Sequence, residues 1–258
     1  MRCTLTPFQQ RNLQIMDRLI LGVDRALRTL TGQHTAARPS PARKRNEGPG
    51  PTGVANASDN PASDNPASDN PASEYPASRN SDKDVQPMTE SQRQHAAGLM
   101  RVNHCGEICA QALYEGQALS AASPETRALL YKACEEEIDH LAWCEDRLTE
   151  LDARPSLLSP LFYAGSWGLG VLTGLLGDRT SLGFVEATEQ QVVAHLEQHL
   201  EELPAADTGS RAVLEQMRED EARHGEQALA AGGGEFGRLP KTVMGIVARV
   251  MTFSTYRI

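Results

Sequence analysis

Apolar residues recur every three or four positions along four long stretches in the second half of the chain. This spacing is typical of amphipathic helices, and no stretch shows the two-residue alternation of a half-buried strand. A capping box at residues 89–92 and the Ser123-Pro124 pair begin the first two helices, and Pro204 ends the third. The predicted helices cover residues 89–120, 123–152, 181–203 and 208–232, and a short apolar helix over 240–253 follows. The sequence therefore predicts an all-α fold.

Each long apolar stripe is interrupted near its middle by a glutamate, at a position where a core residue is expected. The interrupting residues are Glu107, Glu137, Glu189 and Glu221, and His140 and His224 follow the second and the fourth by three residues. Because residues i and i+3 share a helix face, each Glu-x-x-His pair points two ligands inward. Unpaired buried carboxylates are very costly, whereas four of them balance two divalent ions. One glutamate from each of two helices and a Glu-x-x-His from each of the other two form the ligand set of di-iron four-helix bundles.

Surface charge is the alternative for these residues, because glutamate and histidine are common on solvated helix faces. One Glu-x-x-His carries little weight, but two on separate helices, both in register with core stripes, are specific. Glu189 competes with Glu186 one turn earlier, and we prefer Glu189 because it is in phase with Val185 and Val192. Imidazole and carboxylate ligands without thiolate favour iron or manganese, and open positions favour oxygen chemistry.

Other polar residues near these positions are candidates for supporting roles. Asp139 and Asp220 are predicted to accept a hydrogen bond from the histidine of the opposite helix, with solvated surface acids as the alternative. Tyr114 and His195 lie on or near the inward faces, where they could touch a substrate or be satisfied core residues. Reduced thiols that mostly pack in the core are expected at the five cysteines, Cys3, Cys105, Cys109, Cys134 and Cys144.

Composition divides the chain of 258 residues into three parts. Residues 1–32 form a basic arm, residues 33–88 a linker rich in Pro, Ala, Ser, Asn and Asp, and residues 89–258 the periodic domain. The ASDNP repeats at 57–78 have almost nothing to bury, so we expect a disordered spacer there. The net charge of −9 argues against a nucleic-acid partner, which needs Lys and Arg for phosphate contacts.

Two further segments are candidates for membrane contact. The arm has apolar residues at helical spacing between four arginines, and Gly32 is expected to end its helix. We expect this helix either to dock on the domain or to lie at an anionic membrane surface. Residues 155–177 carry no charge, but their five glycines and two prolines argue against one straight spanning helix. A hydrophobic hairpin or an interfacial helix at the membrane is preferred there, with a buried crossover as the alternative.

The sequence closely resembles the demethoxyubiquinone hydroxylases, which are the 2-polyprenyl-3-methyl-6-methoxy-1,4-benzoquinol hydroxylases of ubiquinone biosynthesis. The runs that carry the resemblance are HAAGLMRVNHCGEICAQALYEGQAL (95–119), EEEIDHLAWCEDRL (135–148), VEATEQQVVAHL (185–196) and EDEARHGEQAL (219–229). The resemblance covers essentially all of residues 89–258 and includes all six candidate ligands. The chain departs from the family in its longer linker and at Cys105, where alanine is expected.

The resemblance implies a di-iron monooxygenase built on a ferritin-like four-helix bundle. Two iron ions per chain would be held by Glu107, Glu137, His140, Glu189, Glu221 and His224. O2 would be the co-substrate, and electrons would come from NADH or from the bound substrate, a polyprenyl benzoquinol. The segment 155–177 and the last helix would receive the polyprenyl tail at the membrane. The family implies a peripheral protein on the cytoplasmic face of the cell membrane, a homo-oligomer, and contacts with other ubiquinone-biosynthesis proteins.

Three other functions stay open at this point. A ferritin- or rubrerythrin-like ferroxidase shares the ligands but has no need of the uncharged segment. A di-iron hydroxylase acting on RNA is disfavoured, because residues 89–258 hold 14 basic against 25 acidic residues, a net charge of −11. A non-catalytic membrane scaffold would bind no iron, so metal analysis separates it from the other two.

Overall fold

The computed structural model describes residues 15–46 and 87–258, and all regular structure in these ranges is α-helical. The helices before residue 47 are α1 (Ile15–Leu30) and α2 (Pro41–Asn46). The four long helices after residue 87 are α3 (Glu90–Ser120), α4 (Pro124–Glu150), α6 (Asp178–Glu202) and α7 (Thr208–Ala230). The remaining two are α5 (Ser159–Leu175) and α8 (Arg238–Thr255). The predicted all-α fold is confirmed.

The helices α3, α4, α6 and α7 form a four-helix bundle of the ferritin-like type, as the sequence predicts. α3 packs along α4 and α6 packs along α7, and the two pairs meet through α4 with α7 and through α3 with α6. The predicted capping box is present, because Thr89 and Gln92 each accept a hydrogen bond from the other's backbone N–H. α6 begins three residues before its predicted start, because Gly177, with a φ of +102°, turns the chain directly out of α5.

Two apolar clusters fill the interior of the bundle. The first includes Met100, Trp143, Leu196 and Met217, and the second includes Tyr114, Leu130, Val185 and Ala228. Along each long helix, the glutamate that interrupts the stripe lies between the residues of the first cluster and those of the second. The four glutamates are therefore held at one level of the bundle, with apolar packing on both sides.

The uncharged segment forms a single helix, α5, so the hairpin alternative is wrong. α5 packs so closely against α3 that a Cβ atom on Gly170 would lie 2.1 Å from the carbonyl oxygen of Leu113. The opposite face of α5 exposes the side chains of Leu161, Leu172 and Leu175. α5 is therefore not a buried crossover either, but a helix with one packed and one exposed apolar face. Within the described ranges, no helix combines the length and the hydropathy needed to span a membrane.

α1 docks on the bundle, which is one of the two alternatives for the arm. The buried hydroxyl of Thr29 donates a hydrogen bond to Oε1 of Gln111 on α3, at 2.6 Å. The apolar residues exposed on the opposite face of α1 are Ile20, Val23 and Leu27. Membrane contact by that face stays a prediction, and residues 1–14 of the arm lie outside the described part of the chain.

Residues 33–46, which we call the strap, continue from α1 across α4 and place α2 against α7. Ser40 and Ala42 are buried, and the indole N–H of Trp143 donates to the carbonyl oxygen of Arg38 at 3.2 Å. The predicted linker over 33–88 therefore does not hold for the strap, because its residues find buried partners on the bundle. The ASDNP repeats lie outside the described residues.

The close contact between α3 and α5 can be tested by adding a single methyl group. We expect Gly170→Ala to lower the free energy of unfolding by about 1–3 kcal/mol, because the methyl group overlaps the backbone of Leu113. Gly168→Ala on the same helix meets open space, so this control should be neutral or slightly stabilising. Urea unfolding followed by circular dichroism measures both, and equal loss in the two variants would contradict the close contact.

Candidate metal centre

Six side chains singled out from the sequence meet between the two apolar clusters. They form two groups, Glu107, Glu137, His140 and Glu221 on one side, and Glu137, Glu189, Glu221 and His224 on the other. Within each group, one ligand atom from every residue lies within 4.8 Å of the others, and all of these residues are buried. Glu137 and Glu221 belong to both groups, so two adjacent positions share two carboxylates.

The two histidine rings face the shared carboxylates through their Nδ1 atoms. His140 Nδ1 lies 3.1 Å from Glu137 Oε2 and 3.0 Å from Glu221 Oε1. His224 Nδ1 lies 3.3 Å from Glu137 Oε1 and 3.1 Å from Glu221 Oε2. Each shared carboxylate therefore turns one oxygen toward each histidine, which is the arrangement of a bridging ligand.

Glu189 completes the second group, and the competing Glu186 does not enter it. Glu189 is 1% exposed and belongs to the group around His224. Glu186 is also buried, but its Oε2 lies 3.7 Å from the ammonium nitrogen of Lys241 on α8. Of the two glutamates, the one in phase with the apolar stripe is therefore the one that lies in the cluster, and its role as a metal ligand stays a prediction.

Burial perturbs the protonation of the carboxylates in the centre. Burial raises the pKa of Glu107 well above its usual range, and the charges of Glu137 and Glu221 raise it further. Burial also raises the pKa of Glu189, again with a contribution from Glu221. For Glu137 burial acts in the same direction, but hydrogen bonds with His140 and His224 hold its pKa well below the usual value. The centre is therefore an acidic cluster whose two histidines compensate only part of its charge.

The donor set fits a pair of divalent metal ions. Among the carboxylate oxygens of the centre, Glu107 Oε2 and both oxygens of Glu189 are buried without a hydrogen-bond partner. Buried carboxylate oxygens without a partner are strongly destabilising, so they call for a cation. Four carboxylates and two imidazoles, with no thiolate among them, suit iron or manganese. Four negative charges also match two divalent ions.

Each histidine is oriented by a carboxylate that contacts its Nε2 atom. His140 Nε2 donates to Asp220 Oδ2 on α7 at 3.0 Å, as predicted for Asp220. His224 Nε2 donates to Glu136 Oε2 on α4 at 2.9 Å. A carboxylate that accepts from the outer nitrogen fixes the tautomer and the orientation of a metal-binding imidazole.

The role predicted for Asp139 belongs to Glu136, so that prediction is wrong. Asp139 accepts hydrogen bonds from the strap instead, from Arg38 Nε at 2.8 Å and from the backbone N–H of Ala37. The signal for Glu136 was present in the sequence. Glu136 and Asp220 each lie one residue before the glutamate of a Glu-x-x-His motif, so the two acids occupy equivalent positions in the two motifs.

In the described structure, neither Tyr114 nor His195 forms a hydrogen bond or an ion pair with the six residues. Tyr114 is fully buried in the second apolar cluster, and the ring of His195 lies 3.9 Å from that of His199. The described cysteines are free; Cys105, Cys134 and Cys144 are buried and Cys109 is partly buried. Core packing is thus the observed role of the three buried thiols, and Cys3 lies outside the described residues.

The fold and the cluster together define a class of protein. A ferritin-like bundle in which all four long helices contribute to one buried carboxylate–histidine cluster is a candidate metalloprotein of the di-iron carboxylate type.

Comparison with known proteins places the chain more narrowly. Residues 94–255 match the family model described as ubiquinone biosynthesis protein COQ7. A 3-demethoxyubiquinol 3-hydroxylase from Pseudomonas putida (strain GB-1) is 47% identical over 252 residues, covering 96% of this chain and 99% of that protein. The protein of the same name from Ralstonia pickettii (strain 12J) is 47% identical over 244 residues, covering 95% and 100%. One from Pseudomonas fluorescens (strain SBW25) is 57% identical over 183 residues, covering 70% and 85%. The chain belongs to the ubiquinone biosynthesis protein COQ7 family.

The role of Glu136 can be tested by removing its charge. We expect Glu136→Gln to weaken binding of divalent metal by about 10- to 100-fold, because His224 loses its charged acceptor. The exposed neighbour Glu135 supplies a matched control, and Glu135→Gln should bind metal like the unaltered protein. Equilibrium dialysis against Mn2+, with metal analysis of the protein, measures both affinities. Equal affinities of the two variants would contradict the orienting role.

Proposed function

We propose that this protein hydroxylates the ring of a polyprenylated benzoquinol, 3-demethoxyubiquinol, with O2 at a pair of iron ions. The observation that carries the proposal is the buried cluster of four glutamates and two histidines in a chain of the COQ7 family. Relatives that align over almost the whole chain are named 3-demethoxyubiquinol 3-hydroxylases. The same cluster supports the choice of iron, since these ligand types suit it.

The residues of the chain divide the work at the centre. Glu107 and His140 would hold one iron ion, Glu189 and His224 the other, with Glu137 and Glu221 shared between them. An iron pair held in this way would supply the activation of O2, with the electrons coming from the reductant. The carboxylates balance the charge of the ions, and their burial between two apolar clusters keeps bulk water away.

The outer carboxylates keep both imidazoles in one tautomer. Asp220 and Glu136 accept from the Nε2 atoms of His140 and His224, so Nδ1 is the atom of each ring that would lose its proton and turn a lone pair inward to a bound ion. A fixed ring orientation holds the ligand atoms in place before any ion arrives, and such preorganisation lowers the reorganisation that metal binding needs.

The exposed apolar side chains support a membrane location for this reaction. Those on or beside α5 are Leu157, Leu161, Leu169, Leu172, Leu175 and Leu176, and those on α8 are Ile246, Val247, Val250 and Phe253. Large exposed apolar surfaces mark sites of contact with membranes, partners or ligands. A polyprenyl substrate resides in the bilayer, so we propose peripheral attachment through these helices at the cytoplasmic face of the membrane. NADH as the reductant, self-association and contacts with other ubiquinone-biosynthesis proteins stay predictions.

A ferroxidase of the ferritin or rubrerythrin type is the competing function. It would use the same six residues, but it has no use for exposed leucines along α5. These leucines, together with the names of the aligned relatives, favour the hydroxylase.

Complementation of a bacterial strain that lacks its own demethoxyubiquinol hydroxylase tests the proposed activity. We expect the gene for this chain to restore ubiquinone, and Glu137→Ala to leave the demethoxy quinone accumulated, because a shared carboxylate is lost. The control Glu135→Ala changes an exposed residue of the same helix and should restore ubiquinone. A chain without residues 57–78 should also complement, since the periodic domain begins after them.

Quinone extraction followed by mass spectrometry measures both lipids. Restoration of ubiquinone by Glu137→Ala would contradict the role of the centre. Failure of the unaltered, well-expressed chain to restore any ubiquinone would contradict the hydroxylase function.

Flotation with vesicles tests the membrane location separately. We expect the double variant Leu172→Gln/Leu175→Gln to bind anionic vesicles at least about tenfold more weakly, because two leucines leave the apolar face. Leu229→Gln, a change at an exposed leucine on α7, is the control and should bind like the unaltered chain. Equal flotation of all three proteins would contradict attachment through α5.

A further inference from the structure

We propose that Arg38 of the strap is a positioning residue of the metal centre, which acts on His140 through Asp220. The inference rests on the proposed metal-binding function. Arg38 Nη1 donates to Asp220 Oδ2 at 2.7 Å, and the same oxygen accepts from His140 Nε2 at 3.0 Å. Arg38 is thus linked to the ring that faces the centre through the shared oxygen of Asp220, and its Nη2 also lies 3.5 Å from His140 Nε2. Because this ring nitrogen donates to Asp220, it does not accept from Arg38, and the hydrogen-bonded route runs through Asp220.

Several contacts hold Arg38 and its neighbour in the strap against α4. Arg38 Nε donates to Asp139 Oδ2 at 2.8 Å, and the backbone N–H of Ala37 donates to the other oxygen of Asp139. The carbonyl oxygen of Arg38 accepts from the indole of Trp143, and its guanidinium lies 4.8 Å from the centroid of that indole ring. These contacts fix the guanidinium against α4, and from this position it also contacts Asp220 on α7.

Charge explains why an arginine is needed at this place. The side chains of Asp139 and Asp220 are 4% and 1% exposed, so both carboxylates depend on the protein for compensation. The planar guanidinium offers separate N–H groups to both aspartates at once, which a lysine ammonium on one flexible stem does less well. Without it, Asp220 keeps Arg223 at 2.7 Å on its other oxygen but loses the cation next to His140.

The two halves of the centre differ in this respect. On the His224 side, Glu136 contacts Arg223 at 3.2 Å and Lys132 at 3.7 Å, and both cations come from the bundle itself. On the His140 side, Asp220 also contacts Arg223 through Oδ1, but the cation on Oδ2, the oxygen next to His140, comes from the strap, which lies before the residues 94–255 that match the family model. We therefore expect the loss of Arg38 to affect the His140 half alone.

Titration of the full-length apoprotein with Co2+, followed by visible absorption, tests the proposal. We expect Arg38→Gln to weaken binding of one Co2+ ion by about 10- to 100-fold and to change its absorption bands, while the other ion binds normally. Arg38→Lys keeps the charge and should give an intermediate loss, which also covers the case that Arg38→Gln does not fold. Arg43→Gln removes an exposed arginine of the strap that pairs with Asp146 at 3.3 Å, and should leave both affinities unchanged.

A double-mutant cycle with Asp220→Asn separates positioning from general stability. If Arg38 acts through Asp220, the losses of Co2+ affinity in the two single variants will not add in the double variant. Unchanged Co2+ affinity and spectrum in a folded Arg38→Gln or Arg38→Lys protein would overturn the proposal, even if the variants melt at lower temperature. An unaltered chain that binds no Co2+ would contradict the metal centre itself and, with it, this role of Arg38.

Discussion

Four carboxylates buried within a few ångströms of one another are the constraint on which the rest of this structure depends. Such a cluster is unfavourable in an apolar interior unless cations and hydrogen bonds compensate it. The bundle satisfies this requirement by bringing Glu137 and Glu221 onto both histidines and by surrounding the level with two apolar clusters. The cluster therefore fixes the rotational orientation of each long helix about its own axis, because a rotation by one residue position would move the glutamate of that helix out of the cluster.

The residues of the centre were predictable because they break a regular pattern. A glutamate within an apolar stripe lies on the same helix face as the core residues around it. The inward position of Glu107 and Glu189 is therefore predictable even though neither has a histidine three residues further on. The orienting acids follow a weaker rule, which is position relative to the Glu-x-x-His, and Glu136 was missed because Asp139 lies closer to the histidine in sequence. Arg38 could not be found in this way, because it lies in an irregular segment where no helical period links it to α4 or α7.

The apolar segment shows a different limit of sequence reasoning. Its lack of charge indicated contact with something apolar, but the composition did not distinguish its two faces. In the sequence, the glycines argue against a straight spanning helix; in the structure, Gly170 lets the backbones of α3 and α5 approach each other. Helix contacts through small residues depend on shape, so they are visible only once the partner helix is known.

The route of the strap has a consequence for the order in which the protein is made. Arg38 is separated from its partners Asp139 and Asp220 by 101 and 182 residues. At about 5–20 residues per second, a ribosome needs roughly 10 to 40 s to add the residues between Arg38 and Asp220. Contacts between neighbouring helices such as α3 and α4 form earlier than contacts of this separation. The strap, which leaves the ribosome early, is therefore among the last segments to dock on the bundle. Until it docks, Arg38 does not cover the Nε2 side of His140 in the nascent protein.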